Sequence, residues 1–498
     1  MQKKIFTIIN SNHFFPILIL LFSIILRLYG LSKESIWIDE AYSLELSSRS
    51  FSEITIGTAN DQHPPFYYYL LKIWMFGTTN LIKARYLSVL LGVINIIQIF
   101  YFSRYLFKTN KKNIYIITSL IAISPIHIWY SQEIRMYILL LVLTTASTFF
   151  FTKLISENYS KKQFAYYVIL NLFSIYTHNY AIFIILFQFL FTCFLSISKK
   201  ITKKMFLKII FGFFFVLISY SPWIIILFNQ ILFHKITWID DFSLSVLSTG
   251  IFRLISGYPI MVIGNTSKVI LLFIFGIFVI FGSLRYLFKN KVQSRTYLLL
   301  LTWGFIPLII ISLFSIKYPI FQNKQLLILL FPMLSIIILL LNDLFPKKIS
   351  NSFIIILLCM NIISTIYQHS TINKDDWLSL VDFLKEEYQT GDILFYNPAA
   401  IQYSIKYNSF VNNPFKFQAY PRNYDIVSGG WAGEKLTIET SDEIIEDLID
   451  TSNRVWYLEF APEFWDPNQY LNKSFISKFG LPILSNEFGN VKLSLYEY

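Results

Sequence analysis

Eleven apolar runs divide the first 370 positions of this chain. They lie at residues 14–30, 86–107, 113–130, 136–154, 164–177, 180–198, 205–230, 268–288, 296–315, 322–342 and 350–367. A run of roughly 17 to 25 apolar residues, rising about 1.5 Å per residue as a helix, matches the hydrocarbon thickness of a bilayer. Lipid offers no hydrogen-bond partners, so such segments pair their backbone internally and fold as helices. The runs at 164–177 and 180–198 are joined only by the short polar turn Thr177-His178-Asn179. Alternating segments of about ten residues, the mark of a membrane β-barrel, are absent from the sequence. With 55% apolar and only 14% charged residues, 50 Phe and 32 Tyr, the composition fits no soluble domain of this size. The expected architecture is an all-α polytopic membrane domain of about 11–13 transmembrane helices, spanning 1–372 and including an acidic outer loop at 31–85.

Charge gives the orientation. Residues 1–372 hold 32 Lys/Arg against 11 Asp/Glu, and residues 373–498 hold 10 against 19. Lys3 and Lys4 precede the first run, and no small-residue cleavage site follows it, so it reads as an uncleaved first helix with a cytoplasmic N-terminus. Four long clusters then fall on the cytoplasmic side: Arg104/Lys108/Lys111/Lys112, Lys153/Lys161/Lys162, Lys199/Lys200/Lys203/Lys204 and Arg285/Lys289/Lys291/Arg295. Lys347 and Lys348 join them there. Of the eleven acids in this part, only Glu157 and Asp343 share that side. The net charge of +12 is therefore explained by cytoplasmic loops, and no nucleic-acid partner is expected. The same map requires that His63–Gly77 does not cross; Pro64 and Pro65 suit the start of an interfacial helix there. The apolar segment 244–263 receives the same reading.

An odd number of crossings puts the tail, 373–498, outside the cytoplasm. Its texture is that of a small soluble α/β domain. DDWLSLVDFLKEEYQTGDILFY reads as an amphipathic helix, a Gly391-Asp392 turn and a strand. EIIEDLIDTSN and RVWYLEFAP repeat the helix–strand order. Cys193 and Cys359 both lie in apolar runs, so neither a disulfide nor a cysteine metal site is expected. No Walker motif, GxGxxG or HExxH occurs.

Six of the eleven acids crowd into Glu34–Asp61. Carboxylates beside lipid are costly unless they face water or take part in chemistry. Asp39, with Glu40 beside it, is a candidate general base for stripping a proton from a hydroxyl; the competing reading is a solvated loop acid. Asp61 and His63 flank Gln62, a spacing that could ligate a divalent cation, hold a phosphate, or simply cap a turn before the prolines. Glu133 and Arg135 share the segment SPIHIWYSQEIRMYILLL, and the topology puts them on the side of Asp39. An Arg fork there suits phosphate oxygens, whereas an interfacial Glu–Arg pair would only anchor helix ends. His178 is a ligand candidate or a satisfied core histidine. Lys324, before a late helix, either snorkels or neutralises a lipid phosphate.

The segments WIDEAYS, DQHPPFYYYLLKIW, IKARYLSVLLG, SPIHIWYSQEIRMYILLL, YTHNYA and the basic residue before LLILLFP come in an order that is similar to a known family. It resembles the protein O-mannosyltransferase-like integral-membrane glycosyltransferases of the GT-C fold, which include the lipid A aminoarabinose transferases. The resemblance implies sugar transfer from a polyprenyl-phosphate donor, without nucleotide, to an envelope lipid, glycan or protein at the outer face of the plasma membrane. It implies Asp39, Glu40 and Glu133 as catalytic acids and His63, Arg135 and Lys324 as ligands of the donor phosphate. It makes Asp61 and His178 candidates for a divalent metal cation. Two departures stand out: Gln62-His63 where the aminoarabinose transferases carry Glu-Lys, and Lys324-Gln325 where many members have Arg-Tyr. The rival readings are a transporter or flippase of lipid-linked glycans, which would place charges along a path near the midplane, a polymerase or ligase using the same donor chemistry, and a non-catalytic scaffold.

Overall fold

The structure, a computed structural model, describes residues 14–498 except 79, 109, 157–159, 234–238, 240, 290–293, 372–373, 410–414, 423 and 430–435. Lys3, Lys4, Glu157 and Lys291 thus lie outside the described residues. Packing separates the chain into two compact units: Met1–Tyr29 with Arg85–Ser370, and Gly30–Ala84 with Thr371–Tyr498. Packing groups the segments differently from hydropathy, because the outer loop belongs to the same unit as the tail.

In the first unit, each of the eleven apolar runs is helical. Seven of the described helices are long and apolar enough to cross a membrane; Phe14–Leu28 and Ala181–Ile197 are shorter apolar helices. The 113–130 run breaks into Lys111–Ala122 and Pro125–Tyr130. Pro125 has no N–H to continue the first helix, yet its fixed φ suits the first turn of the next. The core gathers on Leu330–Leu344, which is almost wholly buried. Phe102, Phe187 and Phe331 pack around the indole of Trp303, with ring centroids 5.8, 6.1 and 5.5 Å away. Polar bonds tie neighbouring helices where lipid gives no hydrophobic drive between them. Gln188 Nε2 donates to Ser147 and Thr148 at 3.2 Å, and Asn171 donates to Gln188 Oε1 at 3.2 Å. Asn265–Lys289 exposes Ile270, Phe273, Ile274, Ile277, Ile280 and Phe281, an apolar face of the kind a bilayer covers. Asp343 pairs with Lys289 at 3.0 Å and Arg285 at 3.5 Å, joining an acid and two bases that the charge map put on one side.

The second unit combines the outer loop with the tail. The loop folds as three helices, Ile38–Ser48, Phe51–Ala59 and Phe66–Met75. The middle one begins with a reciprocal capping box between Ser50 and Glu53. The last has 10 residues, so it is about 15 Å long and cannot cross a bilayer by itself. Left-handed Phe76 and Gly77 end it.

The tail carries a five-stranded sheet, β1 (Ile393–Asn397), β2 (Lys416–Ala419), β3 (Arg454–Phe460), β4 (Leu484–Phe488) and β5 (Val491–Glu497). The order is β2-β1-β3-β5-β4. The first three strands run parallel, and β5 pairs antiparallel with β3 and β4. Alternation feeds both faces. Leu394, Tyr396, Trp456 and Leu458 meet Trp377–Leu384 and Ile401 on one face. Ile393, Phe395, Val455 and Tyr457 meet Ile445, Leu448 and Phe475 on the other. The chain is an all-α polytopic membrane domain followed by a small α/β domain.

Candidate functional site

The second unit holds Asp39, Glu40, Asp61 and His63. Asp39 and Glu40 open the Ile38–Ser48 helix, where carboxylates complement the N-terminal end of the helix dipole. Adjacent helical residues point about 100° apart, so the two acids cannot do the same work. Glu40 is fully buried, and its Oε2 accepts from Lys374 Nζ at 2.7 Å. Lys374 also lies 5.9 Å from the Trp37 ring centre, and its backbone N–H donates to Glu34 at 3.2 Å. Asp39, half-buried, lies one position round the helix. Farther along the same helix, Glu45 takes Lys406 at 2.6 Å, the Tyr407 hydroxyl at 3.1 Å and Arg49 at 3.2 Å.

Asp61, Gln62 and His63 form a half-buried bend before Pro64 and Pro65, and Pro65 caps the next helix. Tyr67 and Tyr68 of that helix are fully buried. Tyr42 packs against Tyr68 at 6.4 Å, tying this helix to the one that carries Asp39. Asp61 lies within electrostatic reach of Tyr424, whose hydroxyl is held above its ordinary range first by burial and then by Tyr403, Asp61, Asp425 and Glu45.

The first unit holds Glu133, Arg135, His178 and Lys324. Glu133 and Arg135 are buried in the turn between Pro125–Tyr130 and Tyr137–Leu154. That turn is pinned from several sides. Gln132 donates to the carbonyls of Arg27 at 3.0 Å and Tyr29 at 2.8 Å, and Ser88 donates to the Glu133 carbonyl at 2.6 Å. Arg27, fully buried, bonds His127 Nδ1 at 2.8 Å and the Ala122 carbonyl at 3.0 Å. His127 Nε2 then meets Asn95 Oδ1 at 3.1 Å. Gly92 lets the helix that carries it approach: a Cβ there would sit 2.2 Å from Ser131 Oγ.

Tyr137 is the hub. The Arg135 guanidinium lies 6.0 Å and Lys324 Nζ 5.3 Å from its ring centre. The rings of His178 and Tyr130 lie 5.9 and 5.2 Å away. Lys324 is placed by its own loop, because the Tyr180 hydroxyl donates to the Ile320 carbonyl. His178 caps the Lys161–Thr177 helix, and its Nδ1 accepts the Tyr180 N–H at 3.1 Å. In the neutral ring Nε2 then carries the proton, a donor for an anionic oxygen rather than a lone pair for a cation. Among the described residues no three of His, Cys, Asp and Glu converge as metal ligands.

Arg135, Lys324 and His178 are thus brought together, with Glu133 in the same turn. Sequence reading missed Tyr137, two positions beyond Arg135. It also missed Arg253, which shares the field around Tyr130 with Glu133.

No family model and no curated protein matches this chain by sequence. Solved structures do match in three dimensions. ArnT from Cupriavidus metallidurans in the apo state is 11% identical, with a TM-score of 0.57, over 96% of this chain and 97% of that one. The same protein bound to undecaprenyl phosphate gives 11% and 0.55, over 97% and 98%. The archaeal oligosaccharyltransferase AglB from Archaeoglobus fulgidus, with an inhibitory peptide and a dolichol-phosphate, gives 14% and 0.54, over 92% of this chain and 71% of that one. A further structure of that oligosaccharyltransferase, in complex with Zn and sulfate, gives 13% and 0.53, over 90% and 68%. These likenesses run through both the helical domain and the tail, and the chain has the GT-C fold.

Proposed function

We propose that this protein is an integral-membrane glycosyltransferase that moves a sugar from a polyprenyl-phosphate donor to a hydroxyl-bearing envelope acceptor. The observation that carries the reading is the gathering of Arg135, Lys324 and the His178 Nε2–H around Tyr137. It is supported by the fold, which is shared with a protein that binds undecaprenyl phosphate and with an oligosaccharyltransferase that holds a dolichol-phosphate.

Cleavage of the bond between the sugar C1 and the phosphate oxygen leaves negative charge on the lipid phosphate. Cations fixed in advance at the departing oxygens stabilise that charge most where water is scarce. Arg135 and Lys324 supply it, and His178 adds a neutral donor. On the acceptor side a carboxylate takes the hydroxyl proton as the new bond to C1 forms. Asp39 is assigned that role rather than Glu40, because the Glu40 carboxylate is bound to Lys374. His63 is assigned to the donor phosphate, and Asp61 to the turn that holds His63. On this reading the charge pattern of the loops puts the N-terminus in the cytoplasm and the tail outside it, so the lipid-linked sugar is used where nucleotides are scarce.

The test is transfer from a radiolabelled polyprenyl-phosphate sugar by purified wild type and Asp39→Asn. A loss of about 10²- to 10⁴-fold is expected for removal of a general base. Equal transfer by both proteins would remove Asp39 from the mechanism.

A further inference from the structure

The tail holds a cavity of about 550 Å³ that the proposed reaction does not use. A volume of that size is ordinary for a small-molecule site. It runs along β2, the edge strand, to the carboxyl ends of β1 and β2. There the chain leaves the two parallel strands for opposite faces of the sheet. Ile401 and Ile405 of the helix Ile401–Asn408 pack with Leu394 and Tyr396, whereas Ile444, Ile445 and Leu448 of Ile438–Ile449 pack with Ile393 and Phe395. Such a divergence opens a crevice, and open α/β sheets bind their ligands there. Every residue that lines the cavity lies between Tyr396 and Thr451.

The lining is aromatic and amide-bearing rather than cationic. Phe417 is 38% exposed on the edge strand, with its ring against Tyr396 at 5.9 Å. An aromatic face gives the apolar C–H side of a sugar ring a large, rigid contact. Gln402 comes from one helix, Gln418 from the strand and Asp450 from the end of the other helix, and among the described residues no partner occupies their side chains. An amide both donates and accepts, and a carboxylate accepts, which is the complement of neighbouring hydroxyls. Tyr396 is 2% exposed, yet its hydroxyl makes no hydrogen bond to a described residue; a buried polar group in that state calls for a partner. Burial holds this hydroxyl above its ordinary range, so it stays a proton donor. Among the described lining residues the one base, Arg422, is paired with Asp447, and Asp450 is left as surplus negative charge. That surplus repels a phosphate or carboxylate and is indifferent to an uncharged ligand.

The wall that carries Tyr424 is tied to the outer loop of the same unit. Arg49 reaches Asp425 at 3.3 Å, and Asn60, next to Asp61, donates to the Val427 carbonyl at 3.0 Å. Gly429, at φ +76, lets the two segments close, since a Cβ there would lie 3.1 Å from the Asn60 Cβ. The cavity is thus fixed to the segment that holds Asp39 and His63. We propose that it binds an uncharged saccharide unit of the acceptor, laid against Phe417 and held by Gln402, Gln418 and the Tyr396 hydroxyl. That the saccharide belongs to the acceptor rests on the transferase reading above.

The test uses the full-length chain in detergent micelles and follows binding by saturation-transfer NMR titration. The probes are lactose, cellobiose, mannobiose and N,N′-diacetylchitobiose, with glucose 6-phosphate and a pentaalanine peptide for comparison. Wild type is compared with Phe417→Ala, Phe417→Tyr, Gln402→Ala and Glu443→Ala. Glu443 is exposed on the helix that precedes Asp450 and does not line the cavity. At least one of the uncharged disaccharides is expected to bind wild type saturably. Phe417→Ala should weaken it by about tenfold and Gln402→Ala by about fivefold. Phe417→Tyr keeps the ring and guards against misfolding, and like Glu443→Ala it should keep the binding. No saturable binding of any of these sugars, or equal binding by every variant, overturns the inference, and transfer from a radiolabelled polyprenyl-phosphate sugar decides separately whether the transferase reading stands. Tighter binding of glucose 6-phosphate than of cellobiose, lost in Gln402→Ala, would overturn the uncharged assignment. Pentaalanine binding that is lost in Phe417→Ala, with no sugar bound, would make β2 a docking edge for peptides and overturn it too. Sugar binding that depends on Phe417 in a protein that transfers nothing would sink the transferase reading and, with it, the assignment to the acceptor.

Discussion

Lys374→Met should loosen the second unit far more than any exposed charge change in the tail. The Glu40 and Lys374 side chains are 0% and 6% exposed, and their charged atoms are 2.7 Å apart. Removing one partner of a buried ion pair costs about 3–5 kcal/mol. The comparison is Arg422→Met, which breaks a pair with Asp447 whose side chains are 55% and 53% exposed; such a loss costs ~0–1 kcal/mol. The assay is proteolysis of the native full-length protein under conditions where reclosing outpaces cutting, so that the rate follows the opening free energy. At about 1.4 kcal/mol per decade, Lys374→Met should speed cleavage by roughly two to three and a half powers of ten, and Arg422→Met by less than one. Adding Glu40→Leu to Lys374→Met removes the buried charge and should recover most of the loss. Equal cleavage rates for the two single variants, or no recovery in the double variant, would refute the claim that this pair holds the unit together.

Gly92→Ala should lower the melting temperature, because the new Cβ would lie 2.2 Å from Ser131 Oγ; Ser131→Ala in the same chain should relieve part of the loss, and additive effects in a double-mutant cycle would count against this contact. Burial holds the Asp375 carboxyl above its ordinary value of 3.8, partly offset by hydrogen bonds from Asn490. A raised folded pKa favours folding below the unfolded pKa, and that advantage is lost as pH rises through the folded one. Asp375→Asn should therefore raise the melting temperature at neutral pH, with the gain shrinking toward pH 3.8; a gain independent of pH would contradict this sign. Among the described residues the buried Tyr137 hydroxyl has no hydrogen-bond partner, so Tyr137→Phe should fold as well as wild type. Tyr137→Leu, which removes the ring shared by Arg135 and Lys324, should weaken undecaprenyl phosphate binding, and unaltered binding would deny the ring that role.

The helical domain was legible because lipid imposes a length and a polarity on each crossing, and both are written locally. The same locality explains what was missed. An interfacial helix was expected at His63–Gly77 and Phe66–Met75 is helical, but the two helices before it read as loop, although Ser50 and Glu53 form a capping box. Two strands of the tail, β1 and β3, stood out as aromatic and branched runs. The KFQA edge strand is too short to declare itself, and β4 and β5 are set by pairing rather than by pattern. The gathering of Arg135, His178 and Lys324 depends on where three separate helix ends meet, so the sequence offered the residues but not their company. Tyr137 was hidden for an ordinary reason: an aromatic at the start of an apolar helix looks like core. Arg253 looked like a charge on an interfacial helix, and its nearness to Tyr130 follows only from the fold. Glu40 drew attention as a carboxylate beside Asp39, and nothing nearby announced a lysine 334 positions later.

That separation bears on how the protein is made. The segment holding Asp39 emerges early from the ribosome, but Lys374 is synthesised only after all eleven apolar runs. Until then the segment lacks the Lys374 ammonium that Glu40 accepts from and has no sheet to lean on. A translation product stopped before that lysine would insert its helices and still leave its foremost carboxylate on an unfinished scaffold.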